Sequence, residues 1–244
     1  MLKNLILNDI FKQKRTILMF MVILIPIATT MLLGIDFFIR YKNYLYGVAI
    51  SKGMTSWQML LNEEKMVLFN QFLPLFVAII IGSIFETEYK NNGWTLTLTE
   101  PIKKKNIILS KTITTIIFVL IMLIINSFGL VAIGLLMKFP EAFSFSLIVK
   151  SFLLKLSGAL SIIAIHLFLA LKYKNTLVSI GYAGVFCVIS QNLLSFSSYN
   201  PYSFAFSSCI VQGVDLLQVI LISTILFIVG LIINCKLFSI KESY

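Results

Sequence analysis

A single histidine, His166, stands among Ile165, Leu167 and Phe168 with no Cys, Asp or Glu at ligand spacing, which excludes the common histidine-based metal centres. A neutral imidazole bonded to a neighbouring helix is the favoured reading of it, ahead of a proton relay. Cysteine is nearly as scarce. Cys187, Cys209 and Cys235 are odd in number and far apart, so they read as small apolar fillers rather than a disulfide framework. No stretch carries a glycine-rich phosphate cradle followed by Lys and Ser or Thr, so the chain has no nucleotide site of its own and no enzyme activity is expected of it. Any ATP and Mg it depends on must sit on another subunit, and no cofactor is expected in this chain. Charge is also thin, at 12% of residues against 59% hydrophobic, which excludes a soluble globular domain.

What remains is a set of apolar runs long enough to cross a bilayer core of ~30 Å, each needing about 20 residues. They fall at about residues 16–37, 66–85, 112–137, 151–171, 176–194 and 216–235. The fold expected is an all-α polytopic membrane protein with six transmembrane helices. Residues 1–15 place Leu2, Leu5, Ile6, Ile10 and Phe11 on one helical face, with Lys3, Asp9, Lys12 and Lys14 mostly off it, the pattern of an amphipathic helix lying on the inner leaflet. The first run has no small-x-small cleavage site, so it reads as an uncleaved anchor, with Pro26 placed to kink it.

The formal charge of +10 does not point to nucleic acid, because the basic residues cluster at the ends of apolar runs. Lys3, Lys12, Lys14, Arg15, Lys90, Lys103, Lys104, Lys105, Lys111, Lys172, Lys174, Lys236 and Lys241 would all be cytoplasmic if both termini are inside, thirteen of the 20 Lys and Arg. That asymmetry sets the orientation. Asp36 to Lys65 then becomes an outer loop, partly helical, with Tyr41, Tyr44, Tyr46 and Trp57 at the membrane boundary. Lys155 falls inside the outer end of the fourth run, where its stem can carry the ammonium to the interface. The run from Ser195 to Ser208, around Asn200, Pro201, Tyr202 and Phe204, is too polar to cross and too apolar for a linker. It can dip into the outer leaflet only if its backbone is buried against protein.

Glu63 and Glu64 are adjacent, as in the intramembrane proteases of the bacteriocin-immunity type, but those also need a downstream arginine and two histidines. A solvated loop edge explains the pair better. Gln71, Asn126, Ser127, Gly181 and Gly184 are candidates for packing and hydrogen bonds between helices.

The longest charged interruption, Glu86 to Lys111, lies between the second and third runs. Its apolar middle from Trp94 to Leu98 is bracketed by Gly93 and Pro101, so it reads as a short element lying across the membrane surface. Glu86 and Glu88 stand at a helix C-terminus, where the dipole disfavours anions. They therefore call for a basic partner, on an attached subunit or on the N-terminal helix.

Glu88-x-Lys-Asn-Asn-Gly-Trp, then Pro101-Ile-Lys-Lys-x-x-Ile, then Ser110-Lys111 resembles the cytoplasmic loop of ABC-2 type permease subunits, and more narrowly those of lantibiotic immunity and bacteriocin-export transporters. Asn200-Pro201-Tyr202-Ser203-Phe204 is similar to the outer segment of the same superfamily. The resemblance implies one permease domain over residues 1–244, a second permease subunit making a homo- or heterodimer, and an ATP-binding cassette subunit docked on Glu86, Glu88, Gly93, Trp94, Leu98, Pro101, Lys104 and Lys111. It also implies a peptide substrate moved outward. Two other classes stand beside it: a non-transporting membrane immunity or scaffold protein, and a secondary transporter, which would need carboxylates or broken spans near the bilayer midplane.

Overall fold

Apolar length decides the architecture. The computed structural model describes residues 2–90, 93–99, 101–173, 175–193, 200–207 and 215–241, and among them every regular element is helical. In order these are α1 (Leu2–Gln13), α2 (Ile17–Arg40), α3 (Tyr46–Ser51), α4 (Ser56–Glu63), α5 (Phe69–Lys90), α6 (Gly93–Thr99), α7 (Lys104–Leu136), α8 (Phe145–Tyr173), α9 (Thr176–Leu193), α10 (Pro201–Ser207) and α11 (Leu216–Lys241). Five helical stretches are long and apolar enough to cross a membrane: Ile17–Ser51, Phe69–Lys90, Lys104–Leu136, Phe145–Tyr173 and Leu216–Ser239. The apolar helix Thr176–Ser190 is shorter.

The expected outer loop beginning at Asp36 is a continuation of helix. α2 runs through Pro26 and passes by a π-helical segment, Tyr41–Leu45, directly into α3. Arg40 donates to both oxygens of Asp36, one turn back, at 2.9 and 3.1 Å, so two charges that suggested a loop neutralise each other on one helix face. The third span likewise starts at Lys104, two turns before Thr112, and the fourth at Phe145 rather than Ser151.

The second span is preceded by a break. Trp57 of α4 packs on Phe139 and Phe143, and its ring covers Gly134 near the outer end of α7. Glu64 bonds Asn126 in mid-α7, and Glu88 of α5 reaches Lys111 near its start. α4 and α5 therefore descend in one line antiparallel to α7, interrupted by a 3-10 turn at Glu64–Val67 and by Leu68, whose φ of 59° is left-handed. A left-handed conformation costs a non-glycine residue roughly 1–3 kcal/mol, so the break is a built feature. Thr55 starts α4 with a capping box, accepting from the Gln58 amide while the Gln58 side chain accepts from its own.

Two sequence expectations are corrected here. Glu64 is not at a solvated edge but buried, and Lys155 does not reach the interface: it donates to Glu64 Oε1 and Oε2 at 2.7 and 2.8 Å and to Asn126 Oδ1 at 2.7 Å. Lys155 is 1% exposed. An ammonium pulled outward would leave Glu64 buried and unpaired, a larger penalty than keeping the pair inside. Among the described residues nothing packs closely on Gly181 or Gly184, where an added side-chain carbon would meet open space. Close approach occurs instead at Gly129 under Thr30, Gly134 under Trp57 and Gly230 on Ala164.

Candidate functional site

At the end of the bundle that carries α1, which the expected orientation makes the inner end, the polar edge of α1 faces the other helices. Asp9 and Gln13 are its buried residues, while Phe11 is 66% exposed toward the surroundings. Asp9 accepts from Ser110 Oγ at 2.6 Å and from Lys111 Nζ at 3.3 Å. The same Lys111 ammonium donates to Glu88 Oε1 at 2.9 Å, and Lys12 donates to that oxygen at 2.7 Å. Two carboxylates and two ammoniums thus alternate along Asp9, Lys111, Glu88 and Lys12, joining α1, α5 and α7. Lys111 and Glu88 are buried, whereas the Lys12 side chain keeps 34% of its surface.

α6 covers this network. Lys111 Nζ lies 5.5 Å from the centroid of the Trp94 ring and 5.7 Å from that of Phe85, the geometry of a cation over an aromatic face. Trp94 also packs on Phe85, Tyr89 and Phe238 with centroids 5.9, 5.8 and 5.2 Å away, and Tyr89 donates its hydroxyl to the Ala170 carbonyl of α8 at 3.1 Å. One side chain of α6 therefore touches the inner ends of α5, α7 and α11. Gly93 is required by contact, because a side chain there would collide with the Glu88 carboxylate.

The sequence-derived residues separate into two groups. Glu88, Gly93, Trp94 and Lys111 converge, and Trp94 is turned onto the bundle rather than out toward a docking groove. Glu86 pairs with Lys90 one turn on, Pro101 is exposed, and Lys104 opens α7 half-buried. Leu98 lies in α6, but its side chain is outside the described residues. The basic partner sought for Glu88 on the N-terminal helix is Lys12. Asp9 and Ser110 were missed; the signal available was that Asp9 is the one acidic residue of α1.

Inside the bundle, Asn200 caps α10 by accepting from the Tyr202 amide at 3.1 Å, with Pro201 at the first helical position. Tyr202, Ser203, Phe204 and Ala205 are buried. The Tyr202 hydroxyl lies 2.9 Å from His166 Nε2, and His166 Nδ1 lies 2.8 Å from Ser179 Oγ, so the imidazole spends both nitrogens tying α8 to α9 and α10. The Tyr202 ring stacks on Phe186 at 5.0 Å. α10 fits because Gly158 of α8 leaves room for the Ala205 backbone. Residues 195–199 and 208, also part of the expected dipping segment, lie outside the described residues.

Comparison with protein families settles what this arrangement belongs to: the profile of the ABC-2 family transporter protein matches residues 5–191. The chain is a member of the ABC-2 transporter family. The match spans α1 to the end of α9, so the whole inner network falls within it, while α10 and α11 follow it. No curated protein matches the sequence. An ABC-2 permease is the membrane component of an ABC transporter and has no ATPase site of its own; membership implies an ATP-binding partner. In this ABC-2 chain the short helix between the second and third spans is bonded into the bundle through Trp94, Glu88 and Lys111.

Proposed function

We propose that this permease moves an amphipathic peptide, of the lantibiotic or bacteriocin class, outward from the membrane or cell, driven by ATP and Mg bound on a separate cassette subunit docked beneath α6. The observation that carries the reading is the attachment of α6: a push on it bears at once on α5, α7 and α11 through Trp94, and on α1 through Glu88, Lys111 and Lys12. A short surface helix coupled to four elements transmits a rigid-body displacement, whereas a loosely tethered loop would absorb it. The surface left for the cassette is the exposed rim around Glu86, Lys90, Pro101, Lys103 and Lys105. The exposed apolar faces of α2, α9 and α11 suit lipid and a second permease subunit. The peptide class rests on the sequence resemblance and on the aromatic character of the outer segments.

The test is transport of a dye-labelled cationic amphipathic peptide by the permease reconstituted with its cassette subunit. Trp94→Ala should keep the complex and its ATP hydrolysis but lower transport at least tenfold, because α6 loses its grip on the bundle. Full transport by Trp94→Ala, with transport abolished by alanine at Lys103, Lys104 and Lys105, would make the coupling electrostatic instead. ATP-driven expulsion of a non-peptide probe but never of a peptide would remove the substrate class.

Orientation is tested separately. With both termini inside, a cysteine at Lys52 should react with an impermeant maleimide in intact cells and one at Lys104 should not. Reaction at Lys104 would invert the topology.

A further inference from the structure

The break precedes α5 and, level with Asn126 of α7, lies toward the outer part of the hydrocarbon core. From Lys111 at the inner network to Asn126 is about 22 Å along α7 at a rise of ~1.5 Å per residue, and α7 continues outward for roughly another 15 Å. Leu154, beside Lys155, packs on Val219 in the first turns of the apolar helix α11. At this depth irregular backbone is tolerated only where protein covers it or where it lines water. One side of the turn meets the first condition: Glu64 is 1% exposed, and its carboxylate accepts from Lys155 on both oxygens, from Asn126 Nδ2 at 3.0 Å and from Asn70 Nδ2 at 3.0 Å. The other side does not. In the single chain Lys65 is exposed, Met66 is 62% exposed and Leu68 42% exposed, so either water or a second permease subunit must meet them.

We propose that the Glu64–Lys155 ion pair is the latch of an outer gate, in which α4 swings about the Glu64–Leu68 break to open a water-filled path lined by Lys65, Met66 and Leu68. The pair suits a latch for three reasons. It joins the hinge to α8 and, through the two asparagines, to α7 and α5, so its closed geometry is fixed by four elements. Its partners are provided entirely by side chains, so separation leaves every helical backbone bond intact. The hinge itself is short, and Leu68 already stands in the left-handed region, which makes it the residue whose backbone torsions change most readily. Beyond the hinge, α4 is held by aromatic contact with the α7–α8 turn and by the Tyr41 hydroxyl, 2.8 Å from Ser56 Oγ. When α4 leaves, the Lys155 ammonium and the Glu64 carboxylate become hydrated by the same path whose opening separates them, so the open state does not strand either charge in a dry interior.

The inference rests on the orientation and on the cassette-driven transport proposed above, and its test separates those readings from the gate. In a background with Cys187, Cys209 and Cys235 replaced by alanine, Leu60→Cys reports the gate, because Leu60 of α4 is fully buried. The permease and cassette subunit are assembled in nanodiscs and labelled with an impermeant maleimide. Labelling of Leu60→Cys is expected to be slow without nucleotide and to rise at least tenfold with ATP and vanadate. Adding the charge-neutral pair Glu64→Gln with Lys155→Met should give the fast rate without nucleotide. The swapped pair Glu64→Lys with Lys155→Glu should restore the slow rate, and it carries the test if the neutral pair does not assemble. Lys52→Cys should label rapidly in every state; in intact cells, its failure to label would overturn the orientation and with it the placing of the gate. Rapid Lys52→Cys labelling with a Leu60→Cys rate unmoved by nucleotide and by both pair exchanges would overturn the gate alone.

Discussion

Lys111→Met should be among the most damaging single substitutions in the chain. The methionine fills the stem's volume but leaves Asp9 and Glu88 facing each other in a buried site, with Lys12 the one ammonium still bonded to Glu88. Removing one partner of a buried ion pair costs about 3–5 kcal/mol, because the remaining charge is stranded rather than neutralised. Ser110 would still donate to Asp9, but a single hydroxyl offsets only on the order of 1 kcal/mol of that loss. The expected result is a markedly lower midpoint of thermal unfolding in detergent and loss of the cassette subunit during purification. Adding Asp9→Asn and Glu88→Gln to Lys111→Met should recover most of the stability, since neutral amides need no counter-charge. If the triple variant is stable yet fails to transport, the network acts in transmission as well as in folding. If Lys111→Met alone unfolds at the parent temperature, the cluster is hydrated and the account of its energetics is wrong.

Trp57→Ala is the second large effect. The indole is 2% exposed, stands edge-on to Phe139 and Phe143 at 5.2 and 5.1 Å, and donates its N–H to the Glu141 carbonyl at 3.4 Å. Truncating a buried tryptophan costs about 3–5 kcal/mol, the spread depending on how far the site collapses. Here collapse is poor, because Gly134 behind the ring has no side chain to move into the space. Filling that space with Gly134→Leu in the alanine background should recover part of the loss, while Gly134→Leu with the tryptophan present should be as damaging as Trp57→Ala. Protease sensitivity of the segment between α3 and α5, measured from the outer side, would show the effect directly. Equal sensitivity of Trp57→Ala and the parent would mean that the polar contacts of Ser56 and Glu64 hold α4 without the indole.

The spans themselves were legible, since each needs only a run of apolar residues, and the bracketed element between Gly93 and Pro101 emerged as α6. Glu64 and Lys155 were not. They are 91 residues apart, and each alone has an ordinary explanation, a carboxylate at a loop edge or a lysine reaching for the interface. Only packing shows that the two explanations exclude each other. The extension of α2 past Phe37 was hidden for a related reason: Asp36 and Arg40 signal a loop when read singly and a helix when read as a pair one turn apart. Trp94 illustrates the opposite limit. Sequence placed it on a short element between spans, but which way the ring turns depends on Phe238, in the last helix.

The inner network also has a history set by the order in which the chain is made. Asp9 and Lys12 leave the ribosome long before their partners: Asp9 bonds to Ser110 across 101 positions and Lys12 to Glu88 across 76. Contacts so distant along the chain form late. During synthesis α1 must therefore rest at the lipid headgroups with both charges hydrated while two further crossings are inserted. Lys111 arrives last and finds two carboxylates already present, so the arrival of α7 is what converts a peripheral helix into a fixed part of the protein. A nascent chain stalled before Ser110 would hold α1 by lipid contact and the partly exposed Lys12–Glu88 pair, open to extraction by high salt and to quality-control proteases, whereas one stalled after α7 would not.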